Sequence, residues 1–193
     1  MQIEHLARWI SRLGHPFILP LLALAIVTTQ VLPTAQAFAT VALIIVTTTI
    51  PLVLYTRHQI RRQRWTDYDV SVRQHRYRLY GLTLTVLLVC ALIFWLIGAP
   101  AFMLRGIVAT IVLACGAALA NVFLKISLHT SVAIFCALAI VPINSAIGGL
   151  AIVFALLIGW SRVVLRRHTP LEVISGALLG AIVGVALIAS TVS

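Results

Sequence analysis

Seven apolar runs, at residues 17–32, 35–55, 80–97, 101–123, 127–141, 147–160 and 171–190, dictate most of what this chain can become. The first four and the last are as long as, or not far short of, the roughly 20 residues that a helix needs to cross a bilayer, and the runs at 127–141 and 147–160 are shorter. Inside hydrocarbon every backbone N–H and C=O must be satisfied within the segment, which a helix does by itself. With 62% hydrophobic and 9% charged residues among 193, no water-soluble core could hide the apolar surface. The sequence therefore predicts an all-α fold, a polytopic transmembrane helix bundle of six or seven crossings, in a single domain over residues 1–193. Pro33 and Pro100 mark reversals between runs, and Pro142-Ile143-Asn144-Ser145 separates the two shorter ones.

Ahead of the first run, Ile3, Leu6, Trp9, Ile10 and Leu13 recur at helical spacing, with Glu4, Arg8 and Arg12 on the opposite side. Residues 1–14 are thus expected to form a helix lying in the membrane interface. The same charges deny this segment the shape of a cleavable signal peptide. Cys90, Cys115 and Cys136 sit singly inside apolar runs and read as small core residues.

Threading the runs back and forth places the N-terminus, a basic loop at 56–79, the 125–129 segment and the 161–172 segment on one side. That side collects every Lys and Arg except Arg105, together with all 6 His and all 4 acidic residues. The positive-inside rule makes it the cytoplasmic face. The net charge of +10 is explained the same way, and because the basic residues flank apolar runs, no nucleic-acid partner is expected.

Two polar segments carry chemistry. In the first, Ser161-Arg162-Val163-Val164-Leu165-Arg166-Arg167-His168-Thr169-Pro170-Leu171-Glu172, Thr169 is placed to cap a helix whose first position is Pro170 and whose third is Glu172, a capping box. The free N–H groups of such a helix start attract an anion, which would face His168. In the second, Lys125-Ile126-Ser127-Leu128-His129, Ser127 is placed to cap the following helix, and Lys125 and His129 are four apart, as on one helical face. A Lys and a His this close favour an anion over a metal.

Together these segments resemble the type 2 phosphatidic acid phosphatase family, whose members carry Ser-Arg-x5-His-x3-Asp and Pro-Ser-Gly-His motifs. Ser161, Arg162 and His168 match the first at full spacing, with Glu172 in place of Asp; Ser127 and His129 match the second, with Ile126 and Leu128 in place of Pro and Gly. The family's upstream Lys-x6-Arg-Pro motif is represented only by the basic stretch around Arg73, Arg76 and Arg78. Aligning Arg78-Leu79 with its Arg-Pro puts Ser71 where the Lys belongs, so Arg73, Arg76 or Lys125 would supply that cation. The resemblance spans about residues 69–184.

The resemblance implies a phosphatase acting on a lipid phosphate or diphosphate, with a polyprenyl or phosphatidate-type tail, through a phosphohistidine and without a metal or other cofactor. His168 would be the nucleophile, Glu172 its orienting partner and His129 the proton donor to the leaving group. Arg162, Ser161, Ser127, Lys125, Arg73, Arg76 and Arg78 would bind the phosphate. Asp67 and Asp69, the one carboxylate pair in range of a shared metal, read instead as ion-pairing partners of the basic stretch. The competing class, a small transporter or scaffold, should carry polar residues at mid-membrane depth, whereas here they gather at one surface. Past Glu172, Gly176, Gly180 and Gly184 form a small-residue stripe suited to close helix packing.

Overall fold

The computed structural model describes residues 2–65, 70 and 72–192, without the side chains of Arg73 and Val192. Helix α1 (Gln2–Leu13) is followed by α2 (Leu19–Val31) and by α3 (Thr34–Ile44), which runs through one π turn (Ile45–Thr49) into α4 (Ile50–Arg61). Then come α5 (Arg73–Leu96), α6 (Ala101–Phe123), α7 (Leu128–Ile140), α8 (Ser145–Val164) and α9 (Pro170–Val192). Pro33 and Pro100 stand at the starts of α3 and α6, where a missing N–H costs nothing, and the Asn144 side chain accepts the Ile147 N–H at 3.0 Å to begin α8.

The chain is an integral membrane protein, an all-α transmembrane bundle. Five helical rods are long and apolar enough to cross a bilayer: 34–61, α5, α6, α8 and α9. The other two apolar helices, α2 and α7, have 13 residues each. At 1.5 Å per residue each is about 20 Å long, short of the hydrocarbon thickness. Their brevity has a packing reason in α7, which is enclosed by α2, α8 and α9 and buries eight of its side chains, among them Phe135, Cys136 and Ile140. These meet Ala23, Ala109, Leu113 and Val183 in one apolar cluster. Large side chains on the outer helices point away from it, with Phe38, Phe123 and Leu150 all at least 70% exposed, as a lipid-facing surface requires.

The basic segment at 56–79 departs from the loop expected of it. Residues up to Arg61 complete α4 and those from Arg73 begin α5, so both helices project beyond the apolar runs. Trp65 and Val70 fold back between them onto Leu52, Leu79 and Val86, which holds the helix ends together. Asp67, Asp69 and Ser71 lie outside the described residues.

Helix α1 has the expected amphipathic character, with Ile3, Leu6, Trp9 and Leu13 exposed along one edge. It does more than lie on a surface, however. A third edge of small residues, Ala7, Ser11 and Gly14, is buried, and α1 packs against α8 with Ile10 beside Ile158.

Candidate active site

Arg162 occupies the last turn of α8. The chain then reverses at Arg166, whose φ of 53° puts it in the left-handed region, while the Arg167 N–H reaches the Arg162 carbonyl at 3.0 Å and the Arg166 N–H reaches that of Val163 at 2.9 Å. These two bonds define a Schellman end. The usual glycine is absent from the turn position, so no sequence signal announced the reversal. Its effect is to bring His168 back beside the end of the helix that carries Arg162.

The capping box that follows forms as expected. The Glu172 carboxylate accepts the Thr169 N–H at 3.1 Å, and the Thr169 hydroxyl accepts the Glu172 N–H at 3.3 Å. The same carboxylate oxygen, Oε2, lies 2.9 Å from His168 Nδ1. One acidic side chain thus caps α9 and fixes the imidazole, leaving Nε2 as the ring nitrogen turned to other partners. The box also corrects one expectation. It occupies the Thr169 and Glu172 N–H groups, so these two are not left open for an anion as the helix start alone suggested.

Helix α7 is tied to this structure through its backbone. Ser127 caps α7, accepting from the Thr130 hydroxyl at 3.1 Å, while its own N–H donates to the Glu172 carbonyl at 3.0 Å. The glycine stripe makes this approach possible. A Cβ on Gly176 would stand 2.5 Å from the Ser127 carbonyl oxygen, and one on Gly180 would collide with that of Ser131. Those distances are closer than side-chain contacts allow, so glycine is required at both positions. His129, one residue into α7, is buried at the same end of the bundle.

Of the upstream arginines, Arg76 reaches the site. It is 3% exposed and donates from Nη1 to the Ile126 carbonyl at 3.0 Å, joining α5 to the segment before Ser127, and from Nε to the Val70 carbonyl at 3.1 Å. Arg78 is exposed, because two residues along a helix turn the side chain by about 200°. The Arg73 side chain lies outside the described residues. On α5, therefore, Arg76 turns inward to the segment before Ser127 and Arg78 turns outward.

Two further expectations change. Lys125 lies in the extended strand of chain before α7 and not on its helical face; it spans to the Arg167 carbonyl at 3.4 Å. The Ser161 hydroxyl donates to the Ile158 carbonyl of its own helix at 2.7 Å, away from a phosphate-binding role.

The sequence also passed over two residues of α1 and its exit. Arg162 Nη1 donates to the Ser11 hydroxyl at 2.6 Å. The His15 ring meets that of His129 edge-on with centroids 5.3 Å apart, and its Nδ1 accepts the Phe17 N–H at 3.2 Å. The legible hint was the small-residue edge Ala7, Ser11 and Gly14, which has no purpose on a helix that only floats in an interface.

His168 has a pKa lowered to about 4 from an ordinary value of 6.5. Burial is the largest cause, followed by the positive field of Arg76; the bond to Glu172 pulls the other way, and Arg162 and Lys125 add to the lowering. The imidazole is therefore neutral, with its lone pair available, throughout the ordinary pH range. Beside it opens a depression of about 380 Å³ lined by Lys125, Val163, Arg166, Arg167, His168, Thr169 and Glu172. Among the described residues no three His, Cys, Asp or Glu side chains converge as metal ligands. Compared with protein-family models, curated proteins and solved structures, the chain matches none.

Proposed function

We propose that this chain is a membrane-embedded phosphatase of the type 2 phosphatidic acid phosphatase kind, hydrolysing a lipid phosphate or diphosphate. The observation that carries the reading is the 2.9 Å contact of His168 Nδ1 with Glu172, made where Arg76, Arg162 and Lys125 all act on the imidazole. A neutral imidazole oriented through one nitrogen and surrounded by cations is built to attack an anionic phosphorus centre.

In the first step His168 Nε2 forms a bond to phosphorus as the P–O bond to the lipid breaks, and His129, which takes up a proton when the anionic substrate binds, gives that proton to the departing oxygen. Water then attacks the phosphohistidine, His129 takes a proton from that water, and the N–P bond breaks to release phosphate. Glu172 stabilises the positive charge that the imidazole gains while bonded to phosphorus. Arg76, Arg162 and Lys125 hold the equatorial oxygens and fill the part that a divalent ion plays elsewhere, so no metal is required.

A lipid substrate suits the position of the site, at one end of a bundle whose outer helices face hydrocarbon. The headgroup occupies the depression beside His168 while the tail stays among the helices. The charge bias favours the cytoplasmic side for this end. Labelling of an Arg62→Cys, Cys115→Ser variant in intact cells by an impermeant thiol reagent would refute that orientation.

The test of activity is phosphate release by the purified protein from prenyl phosphates, prenyl diphosphates, phosphatidate and phosphatidylglycerol phosphate, with and without chelator. Hydrolysis of at least one, unaffected by chelator, is expected. No release from any of them would remove the enzyme reading in favour of a transporter or scaffold, and dependence on added metal would refute the metal-free mechanism.

A further inference from the structure

Arg162 enters the site from α8, but one atom that holds its guanidinium comes from the other end of the chain. Its Nη1 donates to the Ser11 hydroxyl at 2.6 Å, and the two residues are 2% and 7% exposed. A buried bond from a guanidinium is short and directional, and because the group is a rigid planar fork, holding one nitrogen sets the direction of the others.

The helix that carries Ser11 is held close to α8 by fit. A Cβ on Gly14 would stand 2.5 Å from the Ile158 side chain, and the Gly14 N–H closes the last turn of α1 on the Ile10 carbonyl at 2.8 Å. Immediately beyond, His15 packs edge-on against His129, its ring orientation set by the Phe17 N–H. Helix α1 and its exit thus touch both residues that flank the proposed nucleophile. The apolar edge of α1, with Ile3, Leu6, Trp9 and Leu13, is left for the bilayer interface.

We infer that α1 supports the active site from behind and that Ser11 is a positioning residue, holding Arg162 in the orientation that binds the phosphate of the substrate. This rests on the phosphatase reading for its substrate, but the arrangement itself is a property of anion binding. The helix that seats the protein in the interface therefore also completes the site.

Ser11→Ala removes the hydroxyl and keeps the packing. It should weaken binding of orthovanadate, followed by thermal stabilisation of the detergent-solubilised full chain, by about tenfold, the scale of one hydrogen bond to a charged group. The value of kcat/KM for the best lipid phosphate should fall at least as far. Ser11→Thr, which keeps the hydroxyl, should recover most of both. In an Arg162→Ala background Ser11→Ala should have no further effect on vanadate binding, because the two act through one contact. Gly14→Ala, which displaces α1 without touching Ser11, should reproduce the defect if Ser11→Ala proves unstable. Unchanged vanadate affinity in Ser11→Ala, or a loss fully additive with that of Arg162→Ala, would overturn the inference and leave the enzyme reading intact. A wild-type protein that binds vanadate through Ser11 yet hydrolyses no lipid phosphate would do the reverse.

Discussion

The junction of α7, α8 and α9 and the junction of α4 and α5 both deliver charged side chains to the same end of the bundle, but by different means. At the first, the positions are set by backbone: a Schellman end, a capping box, the Ser127 N–H on the Glu172 carbonyl, and two glycines pressed onto α7. At the second, a single long side chain, Arg76, reaches across from α5 and ends on the Ile126 carbonyl. Backbone placement is rigid and intolerant of substitution. Side-chain placement depends on one long side chain and leaves the sequence around Arg76 free to vary.

The contrast can be broken most severely at the glycine stripe. Gly180→Val has no room against the Ser131 carbonyl and should separate α9 from α7, with loss of folded protein in size-exclusion profiles and thermal melts, at a cost of several kcal/mol in line with overpacked interiors. A well-folded, fully active variant would show that the backbone contact does not set the site. A smaller effect is expected at α5. Arg76→Ala should lower kcat/KM by about 100-fold or more, as for loss of one preorganised donor, whereas Arg78→Ala should stay within a few-fold of wild type. Equal losses at the two positions would mean that the choice between them is wrong.

Protonation offers a subtler probe. His168 is held near 4, below its ordinary 6.5, so the folded state prefers the neutral ring. Its contribution to stability is complete above pH 6.5 and is lost as the pH falls toward 4. Thermal melts should therefore show wild type losing stability relative to His168→Gln across that window, while the two run parallel above it. A constant difference from pH 7 to pH 4 would contradict the burial and the cationic field assigned to the imidazole. The smallest expected change is at Arg166, a non-glycine residue with φ of 53°. Arg166→Gly should relieve that strain and raise stability by roughly 0.5–1 kcal/mol, read as a small upward shift in melting temperature.

The same two junctions explain what could be read without a structure. The helical bundle was legible because apolar length alone specifies it, and the capping box because Thr169, Pro170 and Glu172 each have a position-specific reason to be there. The glycine stripe was legible as a packing surface, though not that it seats on Ser127 and Ser131. Arg76 was not separable from Arg73 and Arg78, since which arginine turns inward depends on the register with which α5 meets α6 and the 124–127 segment. Ser11 was invisible because its partner lies 151 residues away, and a hydroxyl on a surface helix carries no local mark of that distance. The brevity of α7 and α2 as true helices likewise depends on enclosure by neighbours, which hydropathy does not record.

The central claim, that His168 becomes covalently attached to phosphate, is most directly tested by rapid acid-free quenching of the protein during turnover of a radiolabelled lipid phosphate. The account predicts a base-stable, acid-labile label on the protein that is absent from His168→Ala and persists in His129→Ala, where the release step is slowed. Turnover without any protein-bound label in His129→Ala, or a label undiminished in His168→Ala, would contradict it.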